Sequence, residues 1–236
     1  MMDKLDILVF GAHADDAEIG MGGTIAKHTA QGYRVGICDL TQAEMSSNGN
    51  VELRQQEASQ AASILGVAMR SNLQLPDRGL YGGEEQLHKI VAEIRKWQPK
   101  MVFAPFWIDR HPDHIACSKL IEEAVFNAKL RKYMPDLPAV QVEQLIYYYI
   151  NDVEQVNIVV DVSEFYKVKM EALHAYRSQF SAPGTADSEL DQVATPLTNS
   201  YIEHVAARDS LLGRKTASTY AEGFAIKQPF PIASFL

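Results

Sequence analysis

Short apolar runs alternate with longer amphipathic segments through the first half of the chain. That rhythm restricts the fold more than any other feature of the sequence. Residues 5–10 (LDILVF) read as a buried strand halted by Gly11. From Glu18 to about Gln31, apolar residues recur near helical spacing until Gly32 ends the run. A second strand is expected over 33–40, a polar loop over 41–50, and a helix over 51–65 closed by Gly66. A third strand is predicted over 68–75, a helix over 84–97 and a fourth strand over 101–104. Strands alternating with helices of this length predict βαβ units. The expected class is α/β, a Rossmann-like, mostly parallel sheet with helices on both faces.

Beyond Pro112 a long helix is expected to about Tyr133, then strands over 142–150 and 158–162. Ser163 is a candidate N-cap for a helix reaching Tyr176. Residues 181–198 read as a long loop, a lid or a subunit contact. A helix over 200–212 and a last strand over 220–226 follow. With no repeat or linker in view, residues 1–236 are expected to form one domain. Residues 1–135 would be its core and 136–236 a C-terminal elaboration.

Composition excludes several classes of function. The chain carries 22 basic against 30 acidic residues, a formal net charge of −8. That balance argues against a nucleic-acid partner. No run of about eighteen apolar residues suggests a membrane span, and the charged residues near the N-terminus speak against a secretory signal. Cys38 and Cys117 are too few for a disulfide framework and read as small buried residues, which suits a reducing cytoplasm.

The chemistry is concentrated in two short clusters. One is Gly11-Ala-His13-Ala-Asp15-Asp16, directly after the first strand. The other is Asp109-Arg110-His111-Pro112-Asp113-His114, after the fourth. Ligands of open parallel sheets bind at the carboxyl ends of strands where the chain order reverses, and strands one and four meet there. A catalytic zinc takes three nitrogen or oxygen ligands and leaves one position open. His13, Asp16 and His114 supply two imidazoles and a carboxylate. Adjacent Asp15 and Asp16 cannot easily point the same way, so one of them is left free as a general base. Of His111 and His114, one would ligate and the other donate a proton or meet an oxyanion. Asp113 is placed to orient a ring nitrogen from behind. Plainer readings exist for each residue: lone loop histidines are commonly surface residues, and Asp15, Asp16 or Asp113 could simply cap helices. Carboxylate and imidazole also suit iron or manganese.

The string GAHADDAEIGMGGT resembles the opening motif of the PIG-L/LmbE-like N-acetylglucosaminyl deacetylases, and FWIDRHPDHIACSKL resembles their second motif. The resemblance continues through VELRQQE, PDRGL and HAYRSQF and weakens after about residue 180. Within that family the TQAEMSSNG loop and the length look most like the bacillithiol-pathway enzymes, which deacetylate N-acetylglucosaminyl malate. The resemblance implies one zinc ion held by His13, Asp16 and His114, Asp15 as general base, and His111 stabilising the tetrahedral intermediate or protonating the amine. It further implies Arg54 on substrate hydroxyls, and Arg110 is a candidate for the malate carboxylates. A cytoplasmic homohexamer acting on a small amino-sugar glycoside is implied as well. Ala14 departs from the family's proline and costs the turn only rigidity.

Four rivals come from other classes. A nucleotide-binding module fails because Gly11, Gly20, Gly22 and Gly23 miss the G-x-G-x-x-G register. A metal-dependent phosphohydrolase, a thiol enzyme using Cys38 or Cys117, and a non-catalytic sugar binder complete the set; chitooligosaccharides are the alternative deacetylase substrate. Tyr147–Tyr149 are expected to pack the sheet, and His28, His88 and His204 to lie on helix surfaces. His174 and Arg177 are expected to approach the site through HAYRSQF. Arg78 stands with Arg54 and Arg110 as a source of local positive charge.

Overall fold

The computed structural model describes residues 4–184 and 192–231. The strands are β1 (Ile7–Gly11), β2 (Val35–Thr41), β3 (Met69–Leu75), β4 (Met101–Pro105), β5 (Gln144–Tyr148), β6 (Ile158–Asp161) and β7 (Ala221–Ala225). The helices are α1 (Asp16–Ala30), α2 (Val51–Leu65), α3 (Glu84–Trp97), α4 (Pro112–Ala128), α5 (Tyr166–His174), α6 (Arg177–Phe180) and α7 (Tyr201–Gly213). All strands join one sheet in the order β3-β2-β1-β4-β5-β7-β6. The pairs among β1 to β5 are parallel, and β7 runs antiparallel to both β5 and β6. The α/β expectation holds. The C-terminal elaboration extends the same sheet through an antiparallel strand.

Strand β1 shows why the core splits in two. Its side chains alternate between faces, so Ile7 and Val9 join Ile25, Ala61 and Leu173 on one side. Leu8 and Phe10 join Ile90, Ile94 and Ile121 on the other. Burial on both faces removes any polar alternation, hence the continuous apolar run in the sequence. Helix α1 sits very close to the sheet: a Cβ at Gly23 would meet Val162 at 2.8 Å, and one at Gly20 would collide with the Tyr148 ring. The three consecutive tyrosines are buried packing residues, with Tyr148 Oη donating to Phe10 O at 2.8 Å.

Two local expectations are corrected. Helix α4 stops at Ala128 rather than near Tyr133. The buried Arg95 guanidinium takes up the carbonyls of Asn127, Ala128, Leu130, Met134 and Leu137, which satisfies the groups a longer helix would have used. Ser163 opens a short 3₁₀ turn, Ser163–Phe165, and does not cap α5. Its hydroxyl instead donates to Asp161 and accepts the Thr219 and Tyr220 amides, pinning the turn to the end of β6.

Candidate active site

Strands β1 and β4 are hydrogen-bonded neighbours, with Ile7 opposite Met101, so the chain order reverses between them. Both histidine–aspartate clusters leave the sheet at that edge. The first turn is tightly specified. Asp16 Oδ2 accepts the amides of Ala12 at 2.8 Å and His13 at 3.0 Å, while Thr41 clamps Ala12 O through its amide and hydroxyl. Gly11 is required for this closeness, since a Cβ there would meet His13 O at 3.0 Å and Asp16 Cβ at 3.1 Å. Asp15 occupies the N-cap position of α1 at φ 124°, unusual for a residue with a side chain, and makes no capping bond. Its carboxylate is turned to Arg54 on α2, with Nη2 2.7 Å from Oδ2. Arg54 Nε donates to Ala14 O at 2.8 Å, so one guanidinium holds both ends of the strained residue. Neither Asp15 nor Asp16 serves as an ordinary helix cap.

The second cluster is capped by a histidine. His111 Nδ1 accepts the Asp113 amide at 3.2 Å, and Pro112 begins α4 where no amide is needed. Asp113 therefore does not cap. It accepts Arg78 through that residue's amide at 3.0 Å and Nη1 at 2.8 Å, and its Oδ2 lies 3.5 Å from His13 Nε2.

The two clusters converge. His114 Nε2 is 3.2 Å from Asp16 Oδ1, and His13 Nδ1 is 3.8 Å from Asp16 Oδ2. The rings of His13, His111 and His114 lie 4.7 to 5.6 Å apart, centroid to centroid. Each buried histidine has a carboxylate behind it. His114 Nδ1 sits 3.0 Å from Asp109 Oδ1, an ion-pair contact off the hydrogen-bond line. His13 Nε2 sits 3.3 Å from Asp77 Oδ1 as well as near Asp113. A carboxylate behind an imidazole is the arrangement that orients metal-binding histidines.

The electrostatics favour positive charge where the clusters meet. Burial opposes protonation of His13, but Asp113, Asp77 and Asp16 outweigh it and raise its pKa to about 10. Burial likewise opposes a charged His114, yet Asp16 and Asp109 raise it to about 9. Burial would push the Asp16 carboxyl up, but His114 and His13 hold it well below the usual carboxylate range. Asp15 moves the other way: burial raises it to about 7 although Arg54 pulls it down. His111 is only half-buried, and desolvation with its two histidine neighbours lowers its pKa. Its neutral tautomer carries the proton on Nε2, because Nδ1 is an acceptor. Imidazole nitrogens and a carboxylate oxygen that all favour a nearby cation are a donor set suited to a divalent metal. The nitrogens of His13, His111 and His114 come within 4.8 Å of one another, and so do the donor atoms of His13, Asp77 and Asp113. Asp16 belongs to neither group; its Oδ2 takes the two amides, and its Oδ1 faces His114 Nε2 at 3.2 Å.

The clusters form the floor of a cleft of about 530 Å³, within the range of small-molecule sites. Arg54, Arg78 and Arg110 all reach it. Arg78 is engaged by Asp113, whereas Arg110 is exposed and forms no ion pair among the described residues. Arg54 Nη1 is buried without a hydrogen-bond partner among the described residues.

Several wall residues escaped the sequence reading: Asp77, Asn151, Gln179 and Tyr201. The PDRGL motif contained Asp77, but nothing in its spacing pointed to His13. His174 and Arg177 do not reach the cleft; they line a neighbouring groove, with His174 Nδ1 bonded to Met170 O at 2.7 Å. HAYRSQF contributes Gln179 instead. Within the expected 181–198 loop, Thr195, Pro196 and Leu197 wall the cleft, and residues 185–191 lie outside the described residues. Cys38 and Cys117 are buried free thiols whose pKa values burial pushes up, so neither is a nucleophile. His28 and His88 are half-buried on helices and His204 is exposed. No described helix is long and apolar enough to cross a membrane.

Comparison with known proteins bears on this geometry. The profile of the family described as PIG-L, GlcNAc-PI de-N-acetylase, matches residues 8–125, a span containing both clusters. The diacetylchitobiose deacetylase of Thermococcus kodakarensis is 32% identical over 193 residues, covering 75% of this chain and 71% of its own. The probable N-acetyl-alpha-D-glucosaminyl L-malate deacetylase 2 of Bacillus subtilis is 30% identical over 189 residues, covering 75% of this chain and 84% of its own. Among solved structures, the conserved protein TT1542 from Thermus thermophilus superposes with a TM-score of 0.88 at 37% identity, over 98% of this chain and 99% of that one. The fold, the paired clusters and these relatives together place the chain in the PIG-L family of de-N-acetylases.

Proposed function

We propose that the chain is a zinc-dependent hydrolase that removes the acetyl group from an N-acetylglucosaminyl conjugate, with N-acetylglucosaminyl malate of bacillithiol biosynthesis as its substrate. In this reading the whole chain is one catalytic domain. His13, Asp16 and His114 would hold the ion, with His114 Nε2 3.2 Å from Asp16 Oδ1 and His13 Nδ1 3.8 Å from Asp16 Oδ2. A divalent zinc there supplies the positive charge that polarises an acetamide carbonyl and acidifies water.

The remaining steps fall to the protein's own side chains. Asp15 accepts a proton from the attacking water, and the Arg54 contact fixes which way its carboxylate faces. His111, with a proton on Nε2, donates a hydrogen bond to the tetrahedral oxygen, and the proton taken up by Asp15 passes to the departing amine. Arg54 Nη1, buried and without a partner among the described residues, binds a sugar hydroxyl. Asp113 and Asp77 hold the His13 ring from behind.

The observation that carries the choice of substrate is Arg110, an exposed guanidinium that lines the cleft and has no ion pair among the described residues, in a chain whose net charge is −8. A planar donor in that place suits a carboxylate-bearing aglycone. Diacetylchitobiose is the second reading, supported by the Thermococcus relative. Acetate release from the malate glycoside, diacetylchitobiose and free N-acetylglucosamine, each with and without chelator, decides between them. Preference for a neutral sugar would reverse the choice, and hydrolysis of a phosphate ester in place of the amide would overturn the reaction. A cytoplasmic homohexamer belongs to the same proposal, and light scattering reads the assembly.

A further inference from the structure

Asp109 Oδ1 has three neighbours. It accepts the His111 amide at 2.7 Å and the Asn151 side-chain amide at 2.8 Å, and it lies 3.0 Å from His114 Nδ1. One oxygen thus fixes the His111 backbone and the His114 ring together. Asn151 lies just beyond β5, at the carboxyl end of the strand that pairs in parallel with β4. Its amide orientation is set from both ends, because Nδ2 faces Asp109 and Oδ1 accepts from Tyr201 Oη at 3.1 Å. Tyr201 begins α7, stacks on Phe180 at 6.0 Å and lines the cleft. Arg208 pins the same backbone by donating to Ile150 O at 2.8 Å and Tyr149 O at 3.1 Å. The path from the cleft wall to a candidate ion ligand is therefore continuous: Tyr201, Asn151, Asp109, His114.

We infer that Asn151 and Tyr201 are positioning residues that set Asp109, and through it His114 and His111, for ion binding and catalysis. Neither residue touches the candidate ion-binding atoms. Without Asn151, Asp109 Oδ1 loses a donor and its carboxylate can rotate, so the charge facing His114 Nδ1 at 3.0 Å moves and the ring loses its preferred angle. Tyr201 acts one step further out, by holding the Asn151 amide against flipping. It also faces the cleft, so a substrate packed on its ring bears on the same chain of contacts.

The inference rests on His114 being an ion ligand, and the test separates the two. Zinc affinity is measured by chelator competition on the full-length protein, with the imidazole N–H resonances followed by NMR. Asn151→Ala is expected to weaken zinc about 10-fold, the low end for residues that orient a ligand, and to shift the His114 ring resonances. Tyr201→Phe, which keeps the stack on Phe180, is expected to weaken it roughly threefold because it acts through a second amide. In an Asp109→Ala background both effects should vanish, since the route they use is gone. Wild-type affinity in either single variant overturns that residue's part, and losses that persist undiminished without Asp109 overturn the relay. If Asn151→Ala does not fold, Tyr201→Phe alone carries the same cycle. Unchanged zinc affinity in His114→Ala would mean that the ligand assignment itself had failed; a loss there with wild-type affinity in Asn151→Ala would refute only the relay.

Discussion

Replacing Asp15 by asparagine separates the proposed chemistry from the architecture. Asn is close to isosteric and tolerates the positive φ of 124° better than most residues with a Cβ, and its carbonyl oxygen can still accept from Arg54 Nη2. What disappears is the ability to take a proton. General-base catalysis is typically worth 10²–10⁴-fold, so turnover should fall by at least ~100-fold, or ~2.7 kcal/mol at 1.36 kcal/mol per decade. Stability should move independently. In the ion-free protein, burial raises the Asp15 pKa from 3.8 to about 7, so the folded state holds a proton that the unfolded state has already released. Across that window this carboxyl subtracts stability as pH rises, and above it the full penalty remains. An uncharged isostere escapes the penalty, so ion-free Asp15→Asn should unfold at the wild-type Tm or above it at pH 8. Acetate release at saturating substrate, zinc stoichiometry and a thermal scan of the chelated protein read the three quantities. Turnover within tenfold of wild type at full zinc occupancy would remove Asp15 from its role. A clearly lowered Tm would show that the carboxylate holds the turn together instead.

Other perturbations test separate parts of the structure. His114→Ala should lose zinc, and unchanged stoichiometry by metal analysis would contradict its place among the ligands. Arg110→Ala should raise KM for the malate glycoside about fivefold, ~1 kcal/mol for an exposed charge pair, while leaving kcat and neutral sugars alone; equal losses on both substrates would count against a carboxylate contact. Lys169→Met should destabilise the fold by about 3–5 kcal/mol in denaturant titration, because it strands the buried Asp209 and Glu222 carboxylates, each 2.7 Å from Nζ. A change under ~1 kcal/mol would show that Arg208 and the Gly23 and Thr24 amides satisfy those carboxylates unaided.

What the sequence revealed, and what it concealed, follows from the range of the interactions. Helix α3 matches its expected limits because its apolar stripe and C-terminal boundary are written locally. The two clusters were legible for a topological reason. Each follows a buried strand, and parallel connection rules bring the ends of strands one and four together without knowledge of a single side-chain contact. Interactions across other elements left no such trace. The early end of α4 depends on Arg95 reaching over from α3, and β7 reads the same whether it pairs parallel or antiparallel. Asp77 meets His13 across 64 positions, and Asn151 meets Asp109 across 42, at distances no local pattern encodes. The sequence thus marks the atoms that would touch the ion, because they sit together in short loops. Asp109 and Asp113 behind the histidines lie in the second cluster and are legible with it, whereas Asp77 and Asn151 are hidden because they come from other strand ends. His174 shows the converse. It lies in HAYRSQF, yet its ring is bonded to the preceding turn of α5, while Tyr176, two residues on, reaches Glu18 beside the site. Which residue of a motif enters a cleft is decided by the helix face it occupies, and here the residue that enters is Gln179, while Tyr176 is buried.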